Sequence, residues 1–322
     1  MQLIINKKGA KLGIREGRYR LRVGEEAQYV APAKVRSILL QPGTSITHEA
    51  VRMAVTQETE ILFVDETGFP FARLWSHRYG SVSTIRKNQV AFGQGPAGLD
   101  WIKGLLARKL ENQTVILALL QPDDVTQLPE IQQAAAQIEH YRGRILGVEG
   151  EGTGTVAGTL RGLEGSSGRV YFQTLGRCLP PLYQFDGRSQ RPARDMFNAL
   201  LNYAYGMLYG TVEGALIQAG LDPYLGVLHR DEHNRPVLVY DMIEPYRVWA
   251  EYVVVRLCLD QVMFEEFFEV QQGGYWLNGQ GKRVLIHAMN DYLDETIEMS
   301  GEKQPRRRHI LREAQALAQR LK

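Results

Sequence analysis

The segment YDMIEPYR at residues 240–247 contains the acids that first suggest chemistry in this sequence. Asp241 and Glu244 are three residues apart, so a helix would place both carboxylates on one face. On residue types alone the pair fits a capping box, in which the aspartate caps a helix start and the glutamate reaches back. Pro245 weakens that interpretation because it removes a backbone N–H that the new helix would use. A metal site and a pair of solvated side chains stay open as alternatives.

Two further positions have side chains of the types that metal sites use. Glu164 lies between glycines in GLEGSSGRVYF, and His229 closes the segment GVLH. A metal that performs phosphodiester chemistry needs hard oxygen ligands, often with one imidazole, and open positions for water and phosphate. These residues, with Asp241 and Glu244, are therefore candidates for one catalytic centre. Taken singly, a solvated turn residue and a hydrogen-bonded histidine are the commoner interpretations of Glu164 and His229.

Three short motifs match other signatures and are set aside. HRDEHN at residues 229–234 resembles a kinase catalytic loop, but its asparagine comes too early and the other kinase motifs do not precede it. The same residues spell HxxEH, whose zinc chemistry requires both histidines on one helical turn, whereas the following proline indicates a loop. GTGTVAG at residues 152–158 lacks the βαβ unit of a dinucleotide site and is interpreted as a linker.

The composition is that of an ordinary globular chain. Of the 322 residues, 44% are hydrophobic and 23% are charged, and the length allows two domains. No apolar run approaches the roughly 20 residues that cross a bilayer, and the N-terminus has no secretory signal pattern. Cys178 and Cys258 lack a metal-binding spacing, so a reducing cytoplasm is expected. The net charge is only +2, but local clusters of Lys and Arg suggest anion-binding faces.

The elements that position the candidate residues follow from the apolar patterns. Short β-branched runs broken by Gly, Pro and Asn fill residues 1–90, and one helix over residues 44–57 interrupts them. Residues 88–99 are Gly-rich and are interpreted as the domain boundary. Residues 91–322 have mainly helical periodicity, with a buried central helix within 192–223. The predicted fold class is α+β, a small β-rich N-terminal domain followed by an all-α C-terminal catalytic domain.

Each candidate residue is predicted at the end of an element. The serine pair after Glu164 is expected to start a helix, so Glu164 would precede that helix. The segment 226–241 is interpreted as strand, loop and strand, with His229 ending the first strand. Asp241 and Glu244 would lie where the second strand meets the next helix.

Three ordered blocks resemble one known family. GLEGSSGRVYF, DMFNALLNYAYGMLYGTVEGALIQAGLDPYLGVLH and VLVYDMIEPYR are similar to blocks of the CRISPR-associated adaptation integrase, the larger of the two universal spacer-acquisition proteins. The resemblance covers essentially the whole chain. It implies a DNA endonuclease and integrase, dependent on Mg²⁺ or Mn²⁺, that inserts short DNA fragments into a CRISPR array. The attacking group would be the 3′-hydroxyl of the incoming DNA.

The resemblance also assigns the site residues. It implies metal ligation by Glu164, His229 and Glu244, with Asp241 as a fourth catalytic residue beside them. Glu149, in the similar block GVEG, competes with Glu164 for the first ligand position. The candidate DNA-binding residues near the metal are Arg169, Tyr209, Arg230 and Arg247.

The partners implied are double-stranded DNA with branches or 3′ overhangs, a second copy of the chain, and the small adaptation protein. Family behaviour implies a homodimer through the β-rich domain and a heterohexamer with the small protein. Two other functions stay open from the residues themselves. One is a general metal-dependent nuclease in DNA repair, and the other is a non-catalytic DNA-binding scaffold in which the acids are only caps.

Overall fold

The computed structural model describes residues 2–35, 37–57, 59–65, 70–74, 82–120, 127–229 and 235–322. The chain divides into two compact units, Met1–Gly80 and Ser81–Lys322. Within the described ranges, none of the helices combines the length and apolar character that a bilayer-spanning segment requires.

The described residues of the first unit form two four-stranded sheets, one α-helix and a short 3₁₀ turn, Pro32–Lys34. One sheet has the order β1-β5-β7-β8, with β1, β5 and β7 parallel and β8 antiparallel to β7; the other has the order β4-β3-β2-β6. The strands are β1 (Gln2–Ile5), β2 (Lys11–Arg15), β3 (Arg18–Val23), β4 (Glu26–Val30), β5 (Ser37–Leu40), β6 (Ser45–Ile46), β7 (Glu60–Val64) and β8 (Pro70–Leu74).

The local sequence explains these elements. The β2–β3 hairpin turns at Glu16 and Gly17, both with positive φ (53° and 70°), as a two-residue hairpin turn requires. Helix α1 (His48–Thr56) starts at Thr47, whose side chain accepts from the Ala50 N–H at 3.3 Å. Alternate side chains of the strands, among them Leu12 and Ile38, are fully buried in a core that this unit forms on its own.

The second unit is mainly helical. Its helices are α2 (Val82–Gln94), α3 (Pro96–Leu119), α4 (Leu128–Leu146), α5 (Thr153–Cys178), α6 (Met196–Gln218), α7 (Val237–Met242), α8 (Arg247–Leu259), α9 (Gly279–Asp294) and α10 (Arg306–Arg320). A 3₁₀ turn, Glu244–Tyr246, connects α7 to α8. Helix α6 is the buried central helix that the sequence predicted; it packs against α8 and α10, and Asp195 caps it by accepting from the Asn198 N–H at 2.7 Å.

The α+β fold class is confirmed, and the helical unit carries two hairpins in addition. These are β9 (Phe268–Gln271) with β10 (Gly274–Leu277), and β11 (Thr296–Met299) with β12 (Glu302–Pro305). Each strand has only four residues, too few for a distinct period-2 pattern. The predicted domain limit at residue 90 falls inside α2, and most of the supposed boundary 88–99 is helical. Ile85 and Gln89 of that helix are buried within the second unit.

Three local predictions at the candidate site were wrong. The segment 226–229, predicted as a strand that ends at His229, is an irregular loop. Helix α5 begins at Thr153 and continues through Ser167, so Glu164 lies inside a helix rather than before one. The predicted second strand is helix α7, whose run Val237–Val239 is buried on all sides. A short apolar run that is fully buried does not distinguish a strand from a helix by period.

Candidate metal centre

Helices α3 and α5 and the segment 244–247 bring two carboxylates onto one ammonium group. The Lys109 Nζ contacts Glu164 Oε1 and lies 2.6 Å from Glu244 Oε2. The Arg247 Nε donates to the other oxygen of Glu244 at 2.9 Å. Glu244 and Lys109 are buried, whereas the Glu164 side chain is 30% exposed. The cluster therefore opens to solvent on the side of Glu164.

The helix that carries Lys109 also fixes the position of Glu244. Lys109 and Gln113 lie on the buried face of α3, among Leu106 and Leu110. The Asn112 Nδ2 donates to the Pro245 carbonyl at 2.9 Å and so holds the 3₁₀ turn against α3. The backbone N–H groups of Tyr246 and Arg247 also donate to the Ile243 carbonyl, at 2.8 and 3.0 Å, and connect the turn to the end of α7.

The charges within the cluster determine the ionisation of its members. Burial alone would raise the pKa of Glu244, but the Arg247 and Lys109 cations outweigh it and lower the pKa to about 2. Burial would lower the pKa of Lys109, but Glu244 and Glu164 outweigh it and hold that pKa above its ordinary value. Glu244 and Lys109 are therefore both charged at neutral pH.

The Lys109 ammonium is paired with one oxygen of Glu244. Glu244 Oε2 is buried and lies 2.6 Å from Nζ, a contact that contributes to the lowered pKa of Glu244. A carboxylate oxygen is a hard donor atom of the kind that divalent cations prefer.

His229 belongs to a second pair. Its Nδ1 lies 2.6 Å from Asp241 Oδ1, so the ring donates to that carboxylate and leaves Nε2 as the unprotonated nitrogen when the ring is neutral. The Asp241 carboxylate, fully buried, also accepts from the backbone N–H groups of Val227, Leu228 and His229 at 2.6, 3.1 and 3.2 Å. Asp241 thus fixes both the loop and the imidazole, the arrangement that commonly supports a metal-binding histidine.

The loop that carries His229 depends on close backbone packing. A Cβ on Gly226 would lie 2.8 Å from the His229 carbonyl oxygen and 2.9 Å from a Val237 methyl group. The Gln89 amide of α2 donates to the carbonyls of Asp222 and Leu225 at 2.7 and 3.1 Å. The loop is consequently held from α2 on one side and from α7 on the other.

A line of aromatic rings connects the two pairs. The Tyr240 ring lies 5.8 Å from that of His229 and 5.5 Å from that of Tyr209, centroid to centroid. The Arg247 guanidinium lies 5.5 Å from the Tyr209 centroid. Within the described ranges, no group of three or more His, Cys, Asp and Glu side chains is close enough to hold a metal. The structure thus has a carboxylate pair and an oriented imidazole in one neighbourhood, without a closed ligand set.

A further buried acid lies behind the carboxylate pair. Glu251 of α8 is fully buried, and the Tyr205 hydroxyl donates to its Oε1 at 2.6 Å. Burial raises the pKa of Glu251, against the opposing effects of hydrogen bonding and of the nearby cations. The Arg247 guanidinium lies 5.0 Å from the centroid of the same tyrosine ring. The ion cluster is therefore continuous with a polar layer inside the helical core.

The proposed capping box is wrong. Asp241 lies in α7 and binds the loop before it, and α8 has no side-chain cap at its start. Glu244 does not reach back to Asp241 but pairs with Lys109 and Arg247. The residue spacing matched the motif, but the short helix ends before Glu244, so the two acids face different partners.

Other predicted residues lie in varied environments. Glu149 is exposed in the loop before α5, while Glu164 faces the cluster, which favours Glu164 as the first ligand. Arg169 is exposed on α5, and Tyr209 is half-buried beside Arg247. Arg230, like the rest of the HRDEHN motif after His229, lies outside the described residues.

Arg247 differs most from its predicted use. It was expected to contact DNA phosphate, but its side chain is 16% exposed and paired with Glu244. Its role toward DNA stays a prediction, as do those of the other candidate residues.

Sequence reasoning missed Lys109, Tyr205 and Glu251. Each lies on a helix with apolar residues three or four positions away, as Leu105 and Leu106 are from Lys109. A lysine within an apolar stripe is the signal that would have identified it, because a buried ammonium requires an acidic partner.

These residues fit a divalent cation in donor chemistry. Glu164 and Glu244 converge from distant parts of the chain on the position of one cation, the Lys109 ammonium. His229 Nε2 has no hydrogen-bond partner among the residues that the structure describes. Two carboxylates with one imidazole suit Mg²⁺ or Mn²⁺.

Comparisons with known proteins identify the family. The model described as CRISPR associated protein Cas1 matches residues 3–291, and the chain belongs to that family. The CRISPR-associated endonuclease Cas1 1 of Thermus thermophilus is 32% identical over 301 residues, which cover 92% of this chain and 88% of that protein. The resemblance seen in the sequence is thereby confirmed.

Two solved structures have the same fold. A casposase bound to integration product has a TM-score of 0.77 and 19% identity, and the alignment covers 100% of this chain and 90% of that chain. A Cas6-RT-Cas1–Cas2 complex has a TM-score of 0.77 and 18% identity, and the alignment covers 100% of this chain but only 35% of that longer chain. At these identities the likeness concerns the fold alone.

The substitution Asp241→Asn is expected to lower the free energy of unfolding by about 1–3 kcal/mol. Both carboxylate oxygens of Asp241 accept hydrogen bonds, whereas an amide has only one accepting oxygen. Its NH₂ group would face either the Val227 and Leu228 N–H groups or those of His229. Urea unfolding measures this change, and Asp260→Asn, at an exposed acid, is the matched control. Equal losses of unfolding free energy in the two variants would contradict the role of Asp241 as a buried hydrogen-bond acceptor.

The substitution Glu251→Gln tests the buried carboxyl through pH. Because the pKa of Glu251 is raised on folding, the folded chain keeps a proton that the unfolded chain has lost. The free energy of unfolding contributed by this group therefore falls as pH rises from about 4.3 through the raised value. The variant's stability relative to wild type should increase over that window and then level off. Urea unfolding across this pH range measures it, with exposed Glu298→Gln as control; parallel curves for Glu251→Gln and wild type would contradict it.

Proposed function

We propose that this protein is a divalent-metal-dependent DNA integrase and endonuclease of CRISPR adaptation. The observation that carries the proposal is the convergence of Glu164 and Glu244 on one cation position in a member of the Cas1 family. His229, oriented by Asp241, is the third proposed ligand. The name of the Thermus relative supports nuclease chemistry, and the casposase structure supports transfer of DNA ends.

The proposed reaction is a transesterification. The 3′-hydroxyl oxygen of the incoming DNA attacks a phosphorus of the target strand and loses its proton. That proton passes to water, the bond from the phosphorus to the 3′-oxygen of the target strand breaks, and the leaving oxygen takes a proton from water. One phosphodiester thus replaces another. When bound, Mg²⁺ or Mn²⁺ lowers the pKa of the attacking hydroxyl and stabilises charge on the phosphate and leaving oxygen. No protein nucleophile is required.

The residues of the chain have separate tasks in this proposal. Glu164 and Glu244 hold the ion through carboxylate oxygens, and His229 does so through Nε2. Asp241 keeps the imidazole in one tautomer and orientation through its 2.6 Å contact with Nδ1. Arg247 keeps Glu244 ionised and in place through the 2.9 Å contact of its Nε.

DNA would be bound mainly through phosphates. Arg169 is exposed on the same helix as Glu164 and is available for such a contact. Arg188, by contrast, is bound within the protein to Asn198 and Asn202 and lies 5.5 Å from the Phe172 centroid. Among these cations, Arg169 is therefore the better candidate for a salt-sensitive phosphate contact.

The small adaptation protein is the proposed partner. The Cas6-RT-Cas1–Cas2 complex, whose fold matches this chain, supports a Cas partner of this kind. The homodimer and the heterohexamer remain part of the proposal from family resemblance.

The experiment combines the protein and its small partner with short duplexes and a supercoiled plasmid carrying a CRISPR repeat, in Mn²⁺. The expected product is plasmid joined to duplex, which disappears when the duplex ends lack a 3′-hydroxyl. The substitution His229→Ala should reduce joining at least about 100-fold, because a metal ligand is lost, while DNA affinity stays near wild type. His287→Ala, at a histidine with an 82% exposed side chain, is the control.

The alternative functions predict different products. Degradation of the DNA without joined product would indicate a general nuclease. Joining that survives His229→Ala would contradict the assigned site, and DNA binding without any metal-dependent product would indicate a scaffold.

A further inference from the structure

We propose that Lys109 is a resident counter-cation of the carboxylate pair, and that a divalent ion binds only by displacing its ammonium group. This inference rests on the proposed function, since it concerns the ion at the same carboxylates. It adds Lys109 as a residue that controls binding of the ion. The observation that supports it is the position of the ammonium group between Glu164 and Glu244.

The ammonium lies where a metal bound by both carboxylates would lie. It contacts one oxygen of Glu164 and one of Glu244, and these two residues are otherwise far apart in the chain. An ion shared by the same two oxygens requires space that Nζ fills. Lysine suits such exchange because its charge is compact and its four-carbon stem is flexible.

The charges within the cluster already cancel. Two carboxylates, Glu164 and Glu244, are matched by two cations, Lys109 and Arg247. A divalent ion therefore approaches a site with no net negative charge, and a nearby ammonium repels it. At short distance in a partly buried site, one unit charge changes ion affinity by at least about tenfold.

A displaced ammonium has other oxygen atoms nearby on the same two helices. Gln113 is one turn after Lys109 on α3, and its side-chain oxygen is buried without a hydrogen-bond partner. Ser167 is one turn after Glu164 on α5, and its hydroxyl is likewise buried and unpaired. Both can accept a hydrogen bond from Nζ, which offsets part of the loss of its carboxylate contacts.

This arrangement links ion loading to DNA. A phosphate that arrives at the site adds negative charge, which restores the attraction for a divalent ion. Protein without DNA would then hold its ion weakly and show little stray cleavage.

The test is the affinity of the DNA-free protein for Mn²⁺, measured by titration calorimetry. Lys109→Met keeps the apolar stem and removes the charge, so it should bind Mn²⁺ at least about tenfold more tightly than wild type. If the lysine instead served to orient the carboxylates as ligands, the variant would bind Mn²⁺ more weakly. Unchanged or weaker binding overturns the inference.

Lys103→Met is the matched control. Lys103 is on the same helix with a 14% exposed side chain; its Nζ donates to the Val148 carbonyl at 2.7 Å and lies 3.7 Å from the exposed carboxylate of Asp100, not beside Glu164 or Glu244. Its loss should leave Mn²⁺ affinity unchanged. An equal gain in both variants would mean that net charge, not position, determines affinity, and would also overturn the inference.

A second variant guards against loss of folding. If circular dichroism shows that Lys109→Met is unfolded, Lys109→Gln supplies the neutral side chain with a polar end and the same expected gain. Failure of this inference is distinguishable from failure of the proposed function. If Glu244→Gln abolishes Mn²⁺ binding but neither Lys109 variant strengthens it, only the counter-cation role of Lys109 is overturned. If the wild type and both Lys109 variants all fail to bind Mn²⁺, the counter-cation role and the proposed function are both overturned.

Discussion

Two acidic side chains from separate helical segments are held against a single ammonium inside the second unit. Burying Glu244 is unfavourable unless cations compensate, and Lys109 and Arg247 supply them. This requirement fixes the positions of α3, α5 and the start of α8 relative to one another, since a shift of any of them would leave a charge unpaired. The geometry of the candidate centre follows from that constraint.

His229 is positioned by independent means. Its loop is held by Asp241, which accepts from three consecutive backbone N–H groups and from the imidazole. The Gln89 amide of α2 holds the preceding residues. One buried carboxylate thus sets both the backbone and the tautomer, so the imidazole does not depend on the ion cluster for its orientation. Separate supports of this kind allow a ligand set to close around an ion without rearranging the core.

Much of the fold was predictable from the sequence, because the relevant patterns are local. The strands of the first unit, helix α1 and the buried helix α6 each have a clear period or cap, although the predicted helix 44–57 begins only at His48, after strand β6. The errors arose where burial removes the period. The apolar run Val237–Val239 of α7 is buried throughout, and the glycine-rich start of α5 looks like a linker although it is helical from Thr153.

The candidate site was predictable in part for the same reason. Glu164, His229, Asp241 and Glu244 were selected by residue type and by family resemblance. The structure places them in two pairs, which the rings of Tyr240 and Tyr209 connect. The different partners of Asp241 and Glu244 were not predictable, because they depend on where a six-residue helix ends. Lys109 was missed because its partners lie on other helices, and no local pattern shows which acids a buried lysine meets.

The most direct test of the account is anomalous diffraction from crystals of the protein soaked in Mn²⁺. The account predicts one strong peak shared by the carboxylates of Glu164 and Glu244, with His229 Nε2 as a further ligand. A peak at Glu149 instead, or crystals in which the two glutamates bind no ion at saturating Mn²⁺, would contradict it.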